Sequence, residues 1–503
     1  MKLRNLIVDI INMLFIIPLY YLTKDNNIFL YTLSLYLYLI LSSMFNHIDI
    51  YSNIKYYYDN KYIYSLNTIF KYTNISIIII NIFISILIGL ISLLLNNLFH
   101  IKGFVIVNVI MSLTLFIKPI LKNVREFVKV YNFKKLSSSI EDIYKIINII
   151  LLIIASIICF KVLDISDYIS ISILYGCSFL SFIVVYLFCY LLVLSNKIKK
   201  KQFKKREERI NYKSEIKDIL SRNMNVSIVS VIKYSYFYIS IIILYFILSN
   251  RYGYSNDIVS DIINNCYLYA IGLVNIVLFI IYYVDYDNIN LVKENIYSEK
   301  DTVRLDDYVI KLFSKLLTII VIFSVISDSI WTIIFNNDNG YILYMFSNLG
   351  IFYIMYSVIV KITLGIINNK KMYIILLIGF IIKLVLVVPF ISSLYRMGYN
   401  LLYGDMLSSV ISYFITIIML MIIASTKWKV DFINKFDKIL DIIYYNIILC
   451  VILLLLTLVV PVKVDSLFEG LKVVIIYLFV SFMYMFVRRR IKYNERVNIK
   501  NRK

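Results

Sequence analysis

The candidate functional residues of this sequence are the ionisable residues within long apolar segments. Charge inside hydrocarbon is costly, so such residues usually have a function. The deepest is Lys383, which lies in GFIIKLVLVVPF about eleven residues into a predicted helix, roughly 17 Å from its end at 1.5 Å per residue. A lysine near the middle of a ~30 Å hydrocarbon core cannot easily reach water along its stem. We therefore expect Lys383 either to face a hydrated cavity, where it could bind an anion, or to pair with a carboxylate in the protein interior.

Other basic residues lie nearer the ends of apolar segments. Lys233 and Lys361 are each within two turns of a predicted cytoplasmic end, so their ammonium groups could face a cavity or extend along their stems to the interface. Four more recur at spacings of four, three and four residues on one helical face: Lys118, Lys122, Arg125 and Lys129. Such a face is typical of a stripe that contacts lipid head groups, and the alternative is an access path for an anionic substrate.

Acidic residues accompany these cations at a few positions. Glu141 and Lys145 are spaced i, i+4 in the favourable orientation and are predicted to form an ion pair at the start of a helix. Asp9 lies in the first apolar segment and Asp328 near the outer end of the ninth, and each could carry a proton or a sodium ion or be an interfacial carboxylate. The excess of cations at and just below the midplane suits a ligand with an anionic head group, such as a pyrophosphate, better than a cationic drug.

The elements that must position these residues are long apolar helices. The 503 residues are 61% hydrophobic with a mean hydropathy of +0.82, and only 12 Gly and 4 Pro interrupt them. Runs such as IIIINIFISILIGLISLLL fit the ~20 residues that a spanning helix needs. The sequence predicts an all-α polytopic membrane protein with about fourteen transmembrane helices. The predicted spans are 5–22, 28–45, 75–95, 101–121, 140–163, 168–194, 226–249, 264–285, 310–335, 341–366, 372–394, 401–425, 439–460 and 468–487.

Basic residues are distributed unevenly between the two sets of alternate loops. The set that includes both termini holds 38 Lys and Arg, and the opposite set holds 6 when Lys102 and Lys161, at the ends of their spans, are counted with it. Because cytoplasmic loops carry the excess of Lys and Arg, both termini are predicted to be cytoplasmic. Residues 195–225 alone hold eleven Lys or Arg against four Asp or Glu, which predicts an aqueous linker. The net charge of +21 reflects this topology and some affinity for anionic lipid head groups, and it requires no nucleic acid.

Several classes of function are disfavoured by what the sequence lacks. The predicted outward loops are at most about fourteen residues long, too short for the extracytoplasmic catalytic domain of a polymerase that uses polyprenyl-linked donors. No GxxxxGK[ST] phosphate loop occurs, so nothing suggests nucleotide hydrolysis. The two histidines, His47 and His100, are too isolated to predict a metal site, and no cofactor is expected.

The stretch from Leu121 to Leu152, LKNVREFVKVYNFKKLSSSIEDIYKIINIILL, resembles the polysaccharide and lipid-linked oligosaccharide flippases of the multidrug/oligosaccharidyl-lipid/polysaccharide exporter superfamily. The resemblance is to the stage V sporulation protein B type, which is related to the lipid II flippases. The family pattern is approximately Leu-Arg-Gly-x-x-Gln-Gly, a linker, Ser, and Glu-Gln-x-x-Arg opening the fifth helix. Lys122 and Lys145 fall on the two Arg positions, and Ser137 and Glu141 fall on the Ser and Glu positions.

The segment GFIIKLVLVVPFI similarly resembles the Gly-x-x-x-Lys of the family's eleventh helix, with Gly379 and Lys383 at the matching positions. The sequence departs from the family elsewhere. Asn123 and Phe127 replace both Gly of the fourth-helix motif, and Phe133 replaces the linker Pro. The Gly-x-Pro that usually ends the second helix is also missing.

The resemblance implies a flippase that moves a polyprenyl-pyrophosphate-linked saccharide across the cytoplasmic (plasma) membrane of a bacterium, without covalent change and hence without enzyme activity. It implies two six-helix lobes facing a central cavity, with helices 13 and 14 as an appendage. The implied divisions are 1–194 (N-lobe), 195–225 (basic cytoplasmic linker), 226–425 (C-lobe) and 426–503 (helices 13 and 14 with a basic tail).

The residues expected to bind the substrate share a position in or beside an apolar segment: Lys383, Lys145, Glu141, Lys122, Lys233 and Lys361. Asp9 and Asp328 are the candidate carriers of a coupling ion. The expected partners are the lipid-linked saccharide, anionic membrane lipids and proteins of cell-envelope biosynthesis.

Two alternatives are left open by the sequence. A drug or cation exporter with the same fold would be expected to carry carboxylates deep in its cavity, whereas the deepest charge here is Lys383. A non-transporting membrane scaffold derived from a flippase would be consistent with the missing Gly and Pro. Exposure of Lys383 and Lys145 to a hydrated cavity is the feature that would favour transport.

Overall fold

A computed structural model describes most of the chain, and the residues that it describes form helices and the short turns between them, without a strand. The described residues are 2–23, 28–45, 66–99, 101–130, 139–163, 165–195, 228–229, 231–232, 234–284, 305–337, 339–363, 369–427, 435–464 and 466–501. The predicted basic linker 195–225 lies outside them except for its first residue, so the four predicted divisions of the chain stay a prediction.

The α-helices with described bounds are α1 (Lys2–Met13), α2 (Ile16–Thr23), α3 (Phe29–Phe45), α4 (Leu66–Phe99), α5 (Phe104–Leu113), α6 (Ile117–Val130), α7 (Ile140–Ile157), α8 (Asp167–Ser195), α9 (Asn256–Ile263), α10 (Ile271–Val284), α11 (Leu305–Val325), α12 (Ser327–Phe335), α13 (Gly340–Thr363), α14 (Asn369–Arg396), α15 (Leu402–Lys427), α16 (Phe436–Thr457) and α17 (Leu467–Asn501). Residues 234–246 are also helical. Short π-helical segments occupy Ile158–Val162, Ile247–Arg251 and Asn264–Ala270.

These helices confirm the predicted all-α polytopic fold. Within the described residues, 12 helical segments are long and apolar enough to cross a membrane, and Phe29–Ser43 is a shorter apolar helix. The remaining predicted span, 226–249, is helical where it is described. The ninth predicted span is divided between α11 and α12, with the break at Ile326.

Two of the spans are interrupted by proline. Pro18 has no N–H to donate to the carbonyl of Leu14, and the chain leaves the helix after Met13 and resumes it at Ile16. Pro119 stands in the same relation to Leu115, in the gap between α5 and α6. The helices are therefore interrupted near Pro18 and Pro119, at positions other than those of the missing family Gly and Pro.

Burial separates central helices from peripheral ones. In an 18-residue stretch of the span Gly340–Thr363, 83% of residues are buried, whereas the figure is 22% for the corresponding stretches of Phe436–Thr457 and Leu467–Ile491. Large apolar side chains such as Phe83 and Leu94 on α4 are exposed. An exposed apolar surface of this extent matches a hydrocarbon environment, where only helices with satisfied backbones are stable.

Helix packing divides the chain into two compact units, Met1–Leu268 (unit 1) and Tyr269–Lys503 (unit 2). In unit 1, buried polar side chains join helices, as expected where lipid supplies no hydrophobic contrast. Asn108 on α5 accepts a hydrogen bond from Ser34 on α3 (3.0 Å) and donates one to Ser92 on α4 (3.1 Å). Asn123, which replaces a family Gly, is fully buried and donates to Asn74 on α4 (3.0 Å).

Unit 2 contains a tightly packed hairpin of α14 and α15. A side chain at Gly404 would collide with the backbone of Ile391, so only glycine permits this approach of the two helices. The last two helices dock on α11 through an apolar cluster that includes Ile322, Leu449 and Tyr477.

Candidate functional site

Unit 1 brings charged residues from three helices together. They are Asp9 on α1, Lys118, Lys122 and Arg125 on α6, and Glu141 and Lys145 on α7; we call these six residues the charge cluster. The carboxylates Glu141 and Asp142 occupy the first turn of α7, where they interact favourably with the N-terminal end of the helix dipole. The helix is interrupted before Pro119, and α6 begins at Ile117. The basic face of α6 lies beside the start of α7.

Two ion pairs cross between helices within the charge cluster. Lys145 donates a hydrogen bond to Asp9 on α1, and the two side chains are 26% and 22% exposed. Arg125 Nη1 lies 2.7 Å from Glu141 Oε1, with side chains 31% and 37% exposed. The predicted pair of Glu141 with Lys145 is therefore wrong, because each of them reaches a partner on another helix.

The rest of the charge cluster is basic. Lys118 is exposed and interacts electrostatically with Asp9, Glu141, Lys145 and Lys122. Lys122 is half-buried. Four basic and two acidic side chains give the cluster a net charge of +2. A partly exposed, net positive cluster at the end of a bundle can bind a phosphate or pyrophosphate group, because charge-assisted hydrogen bonds are stronger there than in bulk water.

In unit 2, Lys383 is enclosed by the α14–α15 hairpin. Its ammonium donates a hydrogen bond to Ser409 Oγ (2.7 Å) and lies 3.7 Å from Asp405 Oδ1. The side chains of Lys383 and Asp405 are 1% and 2% exposed. Of the two environments expected from the sequence, this is the carboxylate pair in the interior.

Sequence reasoning missed Asp405 because it lies only four residues into a predicted span, near an interface. A signal was present in DMLSSVIS: Asp405, Ser408, Ser409 and Ser412 follow the i, i+3, i+4, i+7 spacing of one helical face. All four are buried. Ser412 donates a hydrogen bond to the carbonyl of Gly379 (2.6 Å), so this face is the one that packs on α14.

The remaining predicted residues lie apart from either group. Lys361 is exposed near the end of α13. Asp328 is half-buried in the first turn of α12 and packs against the backbone of Gly340. Lys233 lies outside the described residues, as do His47 and His100. Their predicted roles stay predictions, and the described residues include no group of three or more His, Cys, Asp or Glu that could hold a metal ion.

A third group of charges, at the start of α11 and just before α16, holds these two helices together. Lys435 Nζ lies 2.8 Å from Asp306 Oδ2 and 2.8 Å from Asp307 Oδ1. Partial burial opposes the charged form of Lys435, but hydrogen bonds and attraction from Asp306 and Asp307 outweigh it and raise the pKa of Lys435. This group anchors the start of α16 to the start of α11.

Comparison with known proteins bears on the fold. No family model matches the sequence, and no curated protein matches it. Among solved structures, the chain is similar to one described as "Lipid II flippase MurJ, inward closed conformation", with a TM-score of 0.59 and 16% sequence identity over 97% of this chain and 98% of that one. The chain has a lipid II flippase-like fold. The likeness gives no support to the narrower stage V sporulation protein B type.

Proposed function

We propose that this protein is a flippase that moves a polyprenyl-pyrophosphate-linked saccharide from the inner to the outer leaflet of a bacterial cytoplasmic membrane. The observation that carries the proposal is the charge cluster of unit 1, which is net positive and partly exposed in a chain with a flippase-like fold. An anionic head group is the ligand that such a cluster favours. The substrate leaves chemically unchanged, so the activity is transport and not catalysis.

The ion pairs suggest how the head group binds. Lys145 and Arg125 are each held by one carboxylate and remain partly exposed, so a pyrophosphate can replace Asp9 and Glu141 as their partner. Lys118 and Lys122 add two further positive charges nearby. Such an exchange keeps each cation paired at every stage, which avoids the cost of an isolated charge in a low-dielectric site.

The same exchange gives Asp9 a role in coupling. When Lys145 binds phosphate, the Asp9 carboxylate loses its partner and can take up a proton or a sodium ion. Uptake of that cation would be linked to substrate binding, since both events depend on the Lys145 ammonium. Asp328 is a second candidate carrier, outside the cluster.

Lys383 has a different place in the proposal. It is 1% exposed, so it could contact a head group only if the α14–α15 hairpin opened. We assign it first to holding the hairpin together.

The pairing of Asp9 and Glu141 with basic side chains disfavours the drug-exporter alternative, which needs carboxylates available to a cation. The proline breaks in two spans disfavour a rigid scaffold, since they supply points where helices bend.

A translocation assay tests the proposal directly. Purified protein is reconstituted into liposomes with a fluorescent polyprenyl-pyrophosphate-linked oligosaccharide, and movement between leaflets is followed by accessibility to a membrane-impermeant quencher. We expect movement that depends on the protein and is lost in Lys145→Met. Liposomes with the wild-type protein that behave like protein-free liposomes would contradict the proposal.

A further inference from the structure

Unit 1 carries tyrosine hydroxyls next to the charge cluster. On α7, Glu141, Tyr144, Lys145 and Asn148 follow the spacing i, i+3, i+4, i+7, which puts them on one helical face. The charge cluster uses Glu141 and Lys145, and the neutral Tyr144 and Asn148 continue the same face further into the span. The polar surface therefore does not end at the charges.

Side chains from two other helices meet this continuation. Tyr144 lies beside Ser178 on α8, and Tyr38 on α3 packs with Tyr144 against the same apolar cluster. Asn148 Oδ1 lies 3.4 Å from Ser181 Oγ on α8, whose hydroxyl donates to the carbonyl of Cys177 (2.8 Å). The contacts place hydroxyl and amide groups of three helices around one region.

Two further tyrosines extend the region. The rings of Tyr31 and Tyr175 stack at 5.8 Å between centroids with an angle of 28° between their planes. Tyr175 also lies near Tyr38. Tyr31 and Tyr38 are seven residues apart on α3, which is about 10 Å along the helix axis. We call Tyr31, Tyr38, Tyr144 and Tyr175 the tyrosine cluster.

The Tyr175 hydroxyl is the feature that points to a ligand. The residue is 7% exposed, and among the described residues its hydroxyl has no hydrogen-bond partner. A buried hydroxyl without a partner costs about 1–3 kcal/mol, so a ligand that supplies a partner there gains that free energy. Tyr31, Tyr38 and Tyr144 are half-buried, so the region is not closed off.

We propose that the tyrosine cluster is the binding site for the saccharide of the substrate, next to the charge cluster that binds its pyrophosphate. This inference rests on the proposed function. A neutral sugar offers hydroxyls that can pair with Tyr175, Tyr144 and Asn148, and C–H faces that pack on the stacked rings of Tyr31 and Tyr175. A polyprenyl tail would leave the Tyr175 hydroxyl without a partner, so it is the poorer fit.

Binding of two short-chain probes in detergent tests the inference. The probes are farnesyl pyrophosphate and farnesyl pyrophosphate joined to N-acetylglucosamine, and their dissociation constants are compared by native mass spectrometry. We expect the wild type to bind the saccharide-bearing probe at least ten-fold more tightly. Tyr175→Phe and Tyr144→Phe should each reduce that preference by about 2- to 10-fold, the effect of one neutral hydrogen bond, without changing the affinity for farnesyl pyrophosphate.

Tyr373→Phe is the matched control, because its hydroxyl is also buried without a described partner but lies on α14 in unit 2. It should leave both dissociation constants unchanged. Equal wild-type affinity for the two probes, no measurable binding of either, or an equal loss for both probes in the Tyr175 and Tyr144 variants would overturn the saccharide site. The liposome assay separates this result from the proposed function: a wild type that prefers the saccharide-bearing probe but moves no lipid would refute the flippase and leave the site standing.

Discussion

In unit 1, Lys145 and Arg125 keep a quarter to a third of their side chains exposed and pair with carboxylates from other helices, whereas in unit 2 Lys383 and Asp405 are almost completely buried within one hairpin. A partly exposed pair can exchange its partner for a ligand without separation of its helices. A fully buried pair can do so only after its helices separate. The comparison teaches that depth along a helix does not make a charge available to a substrate.

The largest difference between the two regions should appear when one partner of the buried pair is removed. Lys383→Met removes the cation that faces Asp405 in the hairpin, and breaking a buried pair costs about 3–5 kcal/mol. We expect a marked fall in the melting temperature in detergent, measured by fluorescence-detected size-exclusion chromatography after heating. This differs from the expectation for a purely substrate-binding lysine, which could be replaced without loss of folding.

A double variant completes that test. Lys383→Met combined with Asp405→Leu removes both charges and should recover most of the lost melting temperature, since apolar residues of similar size often replace a buried pair without cost. A melting temperature of Lys383→Met equal to that of the wild type would contradict the structural role of the pair.

The exposed pair should respond in the opposite way, with a large effect on transport and a small one on stability. Lys145→Met removes a ligand of the pyrophosphate, so translocation should fall at least ten-fold, while the free energy of unfolding changes by about 0.2–1 kcal/mol. Lys311→Met serves as the control, because Lys311 is an exposed lysine within an apolar helix of unit 2. Transport that persists in Lys145→Met would remove the charge cluster from the mechanism.

A smaller effect distinguishes the partners within unit 1. A double-mutant cycle with Glu141→Gln and Arg125→Met should give a coupling of about 0.2–1 kcal/mol in the free energy of unfolding. The corresponding cycle with Glu141→Gln and Lys145→Met should give a coupling near zero, because Lys145 pairs with Asp9. Larger coupling in the second cycle would mean that the helical i, i+4 pair forms instead.

The smallest perturbation tests on which side of the membrane the charge cluster lies. The charge distribution predicts a cytoplasmic linker, so a cysteine introduced as Lys205→Cys should resist membrane-impermeant thiol reagents in intact cells and react after lysis. Four of the native cysteines are buried in the structure, which keeps the background low. Labelling in intact cells would reverse the orientation and place the cluster at the outer face.

The fold could be predicted from the sequence because the apolar spans are local and long. The basic face of α6 and the polar start of α7 could also be located by helical periodicity alone. The partners could not: whether Lys145 meets Glu141 or Asp9 depends on how α1 and α7 are rotated against each other, which no local pattern encodes. The pairing of Lys383 with Asp405 likewise depends on the register of the α14–α15 hairpin, which the close approach at Gly404 fixes.

The central claim is that the charge cluster of unit 1, and not the buried pair of unit 2, binds the anionic head group. Its most direct test is the dissociation constant of farnesyl pyrophosphate for Lys145→Met and for the Lys383→Met/Asp405→Leu double variant. Loss of a hydrogen bond to a charged group is worth about 1.5–3 kcal/mol, so Lys145→Met should bind at least ten-fold more weakly than the wild type. The double variant should bind like the wild type. Normal binding by Lys145→Met together with lost binding by the double variant would contradict the account.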